Sequence, residues 1–264
     1  MKTVIDYYLE GKRLVEEDVA RDSSIFMKRA SKALDTDVEK VNLVYGEIFV
    51  EDFLKLIAAA DFKEGETLVD LGCGTGNCLA CAALYSSLSL HAGDNTSIGE
   101  RQQSRSKILG LELLCSKLIE CRLLLSHLNA LVDTNSLPSL PTIDILETDF
   151  IKDSKWKDLA DVVYSAATIF SPNQLRALLP HFLKLKEGCR IIILDKEINE
   201  SNFGSNFLGE GTSLTDLSDI SNPNHNPNPN PYPNPNLNDI FELLDSMKCM
   251  TTWGLSWAFI YRKR

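Results

Sequence analysis

Apolar residues recur along this chain in two rhythms. Short, nearly unbroken runs, "GETLVDLG", "KILGLELL", "IDILETDF", "ADVVYSAATIF" and "CRIIILDKEI", are β-branched enough to predict parallel strands buried on both faces. Between them lie stretches at helical spacing. "VEDFLKLIAAA" sets Phe53, Leu54, Ile57 and Ala58 on one side, and "NCLACAALYSS" is a helix of small residues. A strongly apolar segment follows with Leu118, Cys121, Arg122, Leu125 and Leu128. "SKWKDL" and "SPNQLRALLPHFLKLKEG" are shorter helical patterns, the latter expected to stop at Gly188. The repeated strand–helix order predicts an α/β fold with a doubly wound, mostly parallel sheet. Residues 1–40 predict a helical segment, in two pieces with a charged face. The end of the chain predicts a short helix and one or two strands.

Where both rhythms fail, the composition predicts loops. "LSLHAGDNTSIGERQQSRSK" is polar and contains glycine, and it predicts an insertion at about 86–106. "TNSLPSLPT" is a linker. Residues 221–236, "SNPNHNPNPNPYPNPN", repeat Asn-Pro. Proline removes backbone donors and biases its preceding residue toward extended conformations, so the expectation is a disordered loop without chemistry, spanning about 204–237. The resulting division is a helical segment over 1–40 and one α/β domain over 41–264.

Composition narrows the function classes. The chain has 264 residues, 44% of them hydrophobic, and a net charge of −10, so strong intrinsic nucleic-acid binding is not expected. Seven cysteines without a signal-peptide pattern predict a reducing compartment. Cys73, Cys78 and Cys81 lie close together but lack a second pair or a nearby His, which favours packing over zinc. No apolar run approaches the roughly 20 residues of a membrane span, and a monomer is expected.

The sharpest chemical feature is "VDLGCGTGN". Asp70 ends a strand, and Gly72, Gly74 and Gly76 make a turn that lets backbone approach a ligand and opens a helix toward it. Dinucleotide-binding folds use a similar turn. Here an anion precedes the first glycine, and the third glycine is not at the dinucleotide spacing. Both features suit a cationic amino-acid moiety better than a pyrophosphate, and both fit S-adenosylmethionine. The arrangement resembles the class I methyltransferase fold, which implies a seven-stranded sheet. Such a fold needs an acid at the end of its second strand for the ribose hydroxyls. Asp94 and Glu112 compete, and Glu112 is preferred because its strand is apolar and leads directly into a helix. In "LETDFIKDSKW", Asp149 and Phe150 are candidates for bonding and stacking on adenine, against the plainer reading of a solvated acid beside a core Phe.

Taken in order, "VYGE", "DLGCGTGN", "GLE", "TDFIKDSKW", "KEGCRII" and "TWGLSW" resemble the disruptor-of-telomeric-silencing family, the non-SET lysine methyltransferases that act on the core face of histone H3. The resemblance covers about residues 40–200 and 240–262. It implies that Tyr45 and Glu47 belong to a loop closing over the methionine part of the cofactor. Asp70, Gly72 and Gly74 would form the turn, with Asn77 where the family often has Gln. Glu112 would hold ribose, and Asp149 with Phe150 the adenine. Trp253 and Trp257 would line the lysine channel with Tyr45, against the plainer reading of core tryptophans in a closing strand. One departure stands out: "SAATIFSP" puts Ala166 or Ala167 at the family's Asn, losing a polar contact, with Thr168 as a candidate substitute. The expected function is a histone-lysine methyltransferase with a histone substrate and a nuclear location, cytoplasm being the alternative. The competing expectations are a methyltransferase for a non-histone protein or small molecule, and a binding module that keeps S-adenosylmethionine without turnover.

Overall fold

A computed structural model of the chain describes residues 3–21, 47–88, 106–134, 139–203 and 236–264. Tyr45, Asp94, most of the 86–106 insertion, any second helix before residue 40 and the Asn-Pro repeat lie outside these residues.

Seven strands among the described residues form one sheet: β1 (Thr67–Leu71), β2 (Lys107–Glu112), β3 (Thr142–Glu147), β4 (Val162–Ser165), β5 (Arg190–Leu194), β6 (Phe241–Thr251) and β7 (Gly254–Lys263). Their order is β3-β2-β1-β4-β5-β7-β6. The first five pair in parallel, while β7 runs antiparallel between β5 and β6. This is the doubly wound, mostly parallel seven-stranded sheet expected for a class I methyltransferase. The chain winds outward from β1 to β3 and then crosses to β4. The gap at the carboxyl ends of β1 and β4 is therefore a topological switch point, where open α/β sheets bind ligands.

The period of two along each strand divides the core into two layers. Leu68, Ile108, Val162, Tyr164, Ile192 and Leu194 face α1 (Val4–Arg21), α2 (Val50–Ala59), α3 (Asn77–Leu88) and α4 (Cys115–Asp133). Val69, Leu71, Leu109, Leu111, Val163, Ile191 and Ile193 face α5 (Pro172–Leu183) and the buried Trp156. The N-terminal segment is part of the first layer, since Val4, Tyr7 and Tyr8 are buried in it. Helix α1 comes close to α4 at Gly11, where a Cβ would stand 3.1 Å from Leu124 Cδ1.

Three expectations change in detail. Strand β3 is not buried on both faces. It is the sheet edge, with β2 on one side only, and its residues are exposed or half-buried. Helix α3 runs through the buried Ser86 and Ser87 to Leu88, so the insertion begins after it. Helix α5 opens on a Ser171–Gln174 capping box and ends at Leu183, before Gly188. Gly188 instead adopts φ +78° in the turn leading into β5, with its N–H on the Lys263 carbonyl at 2.8 Å. Near the C-terminus, one helical turn (Leu237–Ile240) gives way at once to an 11-residue strand and a long hairpin. None of the described helices is long and apolar enough to cross a membrane.

Candidate functional site

The turn after β1 is held from below by β2. Gly72 and Cys73 donate their N–H groups to the Leu111 carbonyl at 2.8 and 3.0 Å, and Gly74 donates to Glu112 Oε2 at 3.0 Å. Glu112 Oε1 accepts from Leu113 and Leu114, both at 2.8 Å. Three of the roughly four acceptor sites on a carboxylate are therefore used locally. The same contacts fix Glu112 at the carboxyl end of β2, beside the turn. Of the two competing acids, it is the one on a described strand end.

Asp70 is 2% exposed and lies between Gly110 of β2 and Tyr164 of β4 in the strand register. Burial pushes its carboxyl well above the usual carboxylate range, and the nearby charge of Glu112 adds to the effect. The Tyr164 hydroxyl is likewise raised, chiefly by burial. Asp70 thus carries a carboxyl that a cation would return to its ionised form. Gly72 has φ +88°, and a Cβ there would meet nothing within 4 Å, so the turn has open space above it.

Glu47 reaches the same turn from another direction. Its Oε1 accepts the Thr75 hydroxyl at 2.8 Å and lies 3.5 Å from Lys12 Nζ on α1. Lys12 Nζ also donates to Asn77 Oδ1 at 3.0 Å. The backbone around Glu47 is bound to the tip of the β6–β7 hairpin. Thr252 N–H donates to the Glu47 carbonyl at 2.8 Å and Phe49 N–H to the Met250 carbonyl at 2.9 Å. Ile48 bridges Thr251, and Glu47 N–H reaches Thr252 Oγ1 at 3.1 Å. One hairpin tip therefore fixes the segment that brings Glu47 to the glycine turn.

Beyond β3, Asp149 Oδ1 accepts from Ile151 N–H at 3.0 Å, a local turn that leaves its second oxygen toward Lys152. The Trp156 indole donates to the Phe150 carbonyl at 2.9 Å, so the buried Trp of "TDFIKDSKW" anchors this loop. The half-buried Phe150 ring stacks on Phe170 at 5.8 Å.

Trp253 and Trp257 are not core residues. They are 37% and 45% exposed, at the hairpin tip and the start of β7. Lys248 Nζ lies 5.4 Å from the Trp257 ring centroid, so this ring already carries a cation on its face. The link from Trp257 to the switch point runs through Asp195. Asp195 Oδ1 accepts Trp257 N–H at 2.8 Å, Oδ2 accepts the Thr168 hydroxyl at 2.9 Å, and Asp195 N–H donates to the Trp257 carbonyl at 2.7 Å. Asp195 adopts φ +57°, in the left-handed region. Thr168, the polar residue after Ala167, therefore has its proton committed to Asp195.

The structure brings Glu47, Asp70, Gly72, Gly74, Asn77 and Glu112 to one turn, with Asp149 and Phe150 on a neighbouring strand end. Trp253 and Trp257 join through the hairpin and Asp195. Sequence reasoning missed Lys12, whose "EGKRLVEED" context reads as a solvated face, and Asp195. The position of Asp195, as the acid ending the "IIILD" run, was the available signal. It also missed Ser165, a fully buried hydroxyl at the end of β4 with no partner among the described residues.

Comparison with known proteins finds partial matches. The model of histone methylation protein DOT1 matches residues 25–108, a span that holds Glu47, Asp70, the glycine turn and Asn77 and ends before Glu112. A protein of Eremothecium gossypii, "Histone-lysine N-methyltransferase, H3 lysine-79 specific", is 28% identical over 173 residues, covering 63% of this chain and 26% of that protein. One of the same description from Emericella nidulans is 29% identical over 153 residues, 57% of this chain and 27% of its own length. The chain thus spans about a quarter of the length of the curated relatives it matches. Magnesium protoporphyrin IX methyltransferase from Synechocystis, solved with bound SAH, superposes with a TM-score of 0.46 at 12% identity over 81% of each chain. The fold assignment rests on the strand order itself.

Proposed function

We propose that this chain, a relative of the DOT1 histone methylation proteins, is an S-adenosylmethionine-dependent protein-lysine methyltransferase whose substrate is histone H3, at a lysine on its core face. The observation that carries the reading is the clasp of Glu112 on Gly74 beside the buried Asp70, at the switch point of a sheet ordered β3-β2-β1-β4-β5-β7-β6. The donor set fits the cofactor. Asp70 is an acid whose burial calls for a cation, Gly72 leaves open space, and the Asn77 side-chain amide is buried with no partner for its Nδ2 among the described residues.

In this reading Asp70 and Glu47 face the cationic amino-acid end, and Gly72 and Gly74 let the backbone come close. Asn77 adds donors at the head of α3. Glu112 offers its remaining acceptor site to ribose, while Asp149 and Phe150 take adenine. The bound cofactor supplies an electrophilic methyl group on a sulfonium, which transfers by in-line displacement. The protein's task is then to position a neutral amine. Removing the proton from a lysine of unperturbed pKa costs about 4 kcal/mol near pH 7.4. Trp253 and Trp257, with Tyr45, would form the channel wall. An aromatic wall first attracts the ammonium by its ring face and then, by excluding water, favours the neutral amine. The ammonium of Lys248 over Trp257 supports this use of the ring. A histone substrate makes the nucleus the working compartment.

A second reading has one observation in its favour. Ala166 and Ala167 offer no side-chain polar group, and Thr168 is bound to Asp195, which suits a binding module without turnover. The test is incubation with radiolabelled S-adenosylmethionine and, in parallel, nucleosomes, free core histones and a cell lysate. Label on histone H3 that disappears in Glu112→Ala supports the first reading. Label confined to other lysate proteins moves the substrate class. Absence of label, with cofactor still bound by calorimetry, leaves the binding module.

A further inference from the structure

Strand pairing sets Lys248 of β6 directly opposite Trp257 of β7, so the two side chains stand on the same face of the hairpin. Lys248 Nζ lies 5.4 Å from the Trp257 ring centroid. Among the described residues no carboxylate reaches that ammonium, and the ring is its side-chain partner. The neighbours on this face are apolar. Met250 and Leu255 pair on it one step nearer the tip and are exposed, and the Phe259 ring stacks on Trp257 with centroids 6.4 Å apart. The backbone decides which partner can move. Trp257 is held at both its polar groups by Asp195, its N–H donating to Oδ1 at 2.8 Å and its carbonyl accepting the Asp195 N–H at 2.7 Å. Lys248 is exposed on the outermost strand, and its charge ends a flexible four-carbon stem. The ring stays in place; the ammonium can leave it.

Resting on the reading of Trp257 as a wall of the lysine channel, we propose that Lys248 is an internal competitor of the substrate: it occupies the Trp257 ring until the ammonium of the target lysine displaces it. Two ammonium groups on one ring face would repel each other, so the face serves one at a time. The substrate meets a free ring only in the fraction of molecules from which Lys248 has swung away, and its apparent affinity falls by that fraction. One exposed cation–ring contact corresponds to roughly two- to fivefold in such an equilibrium. Lys248 thereby sets how readily a lysine enters, without touching the methyl transfer that follows.

Two readouts test this on wild type, Lys248→Gln and Lys248→Arg, each checked for an unchanged circular-dichroism spectrum. The first is KM and kcat for methyl transfer to free histone H3. The second needs no turnover: tetramethylammonium, a small cation that binds aromatic faces, is titrated into protein carrying isotope-labelled tryptophan. The Trp257 indole signal is assigned by its loss in Trp257→Phe. Lys248→Gln is expected to lower KM by roughly two- to fivefold with kcat within about twofold, and to move the Trp257 signal at a correspondingly lower tetramethylammonium concentration. Lys248→Arg keeps the cation and should match wild type or raise KM. An unchanged KM and titration in Lys248→Gln would overturn the proposal. So would equal changes in the Gln and Arg variants, which would make the effect one of shape, or a change in KM alone, which would place it away from the ring. Absence of methyl transfer by every protein would sink the methyltransferase reading itself, while the titration would still decide whether Lys248 competes for the ring.

Discussion

In the proposed reading, Asp70 trades stability for binding. Its folded carboxyl titrates above the unfolded value, because burial and the nearby Glu112 both disfavour the anion. Between those two values the folded protein holds more protons than the unfolded one, so stability falls as pH rises through that window. Asp70→Asn removes the titration without changing shape. The unliganded variant should therefore melt at a higher temperature than wild type at pH 7, with the difference shrinking as pH drops toward 4. The same variant should bind S-adenosylmethionine about 10- to 100-fold more weakly, as expected for losing a charged partner. A variant that melts lower at pH 7 would show that the carboxylate is already satisfied in the empty protein. Asp195 makes a second residue-scale prediction. It holds a left-handed backbone and accepts from both Thr168 and Trp257. Asp195→Ala should cost about 2–3 kcal/mol in urea unfolding, since it loses two acceptors and puts a residue without a local side-chain bond at positive φ. Asp195→Asn, which tolerates that conformation and keeps one acceptor, should cost less than half as much.

At the scale of the element, the β6–β7 hairpin does two jobs. Its tip pairs with Glu47–Phe49 and thereby sets Glu47 on the glycine turn, and its second strand carries Trp257. If Trp257 serves the lysine and not the cofactor, Trp257→Ala should lower methyl transfer at least 100-fold while changing the dissociation constant of S-adenosylmethionine by less than threefold. Comparable losses in both would mean that the ring supports the hairpin rather than the substrate. Strand β2 offers a packing test at Gly110, beside Asp70 in the register. A Cβ there would stand 2.5 Å from Leu79 Cδ1 and 2.8 Å from Cys73 Sγ. Gly110→Ala should destabilise by about 1–3 kcal/mol through overpacking, read as a lower urea midpoint. Helix α3 and strand β2 were legible from composition because small residues and continuous apolar runs have few alternatives. Two terminal strands were within the expectation, but the full length of β6 was not. "FELLDSMKCM" mixes apolar and polar residues without a clean period, and it becomes a strand because β7 is there to pair with it.

Over the whole molecule, the two ends of the sheet are chemically separate. The carboxyl ends gather Asp70, Glu112, Asp149 and Asp195. The opposite end is closed by Arg190, which donates to the Ala60 carbonyl at 2.9 Å and the Asp61 carbonyl at 3.2 Å and pairs with Glu66. Arg190 and Glu66 are mostly buried, so Arg190→Met should cost about 2–4 kcal/mol of stability by leaving the acid without its partner. Binding of S-adenosylmethionine by the folded fraction should be unchanged. A matching loss of affinity would show that the two ends are coupled through the sheet.

The sequence by itself determined the layered sheet, the glycine turn with Asp70, and Glu112 as the acid closing the second strand. Each depends on the residue types and order within one short stretch, and apolar periodicity and glycine freedom act over that same distance. The tertiary structure alone decided what surrounds them. Lys12 meets Asn77 across 65 residues of sequence, and Glu47 meets Thr252 across 205. Thr168 and Trp257 meet on Asp195. No local pattern specifies such partners, because a side chain's hydrogen-bond capacity is the same wherever it stands and only the fold brings its acceptor or donor within 3 Å. The same reason separates Trp156 from Trp253 and Trp257. Three identical side chains became one buried anchor and two exposed rings through the neighbours the sheet gave them.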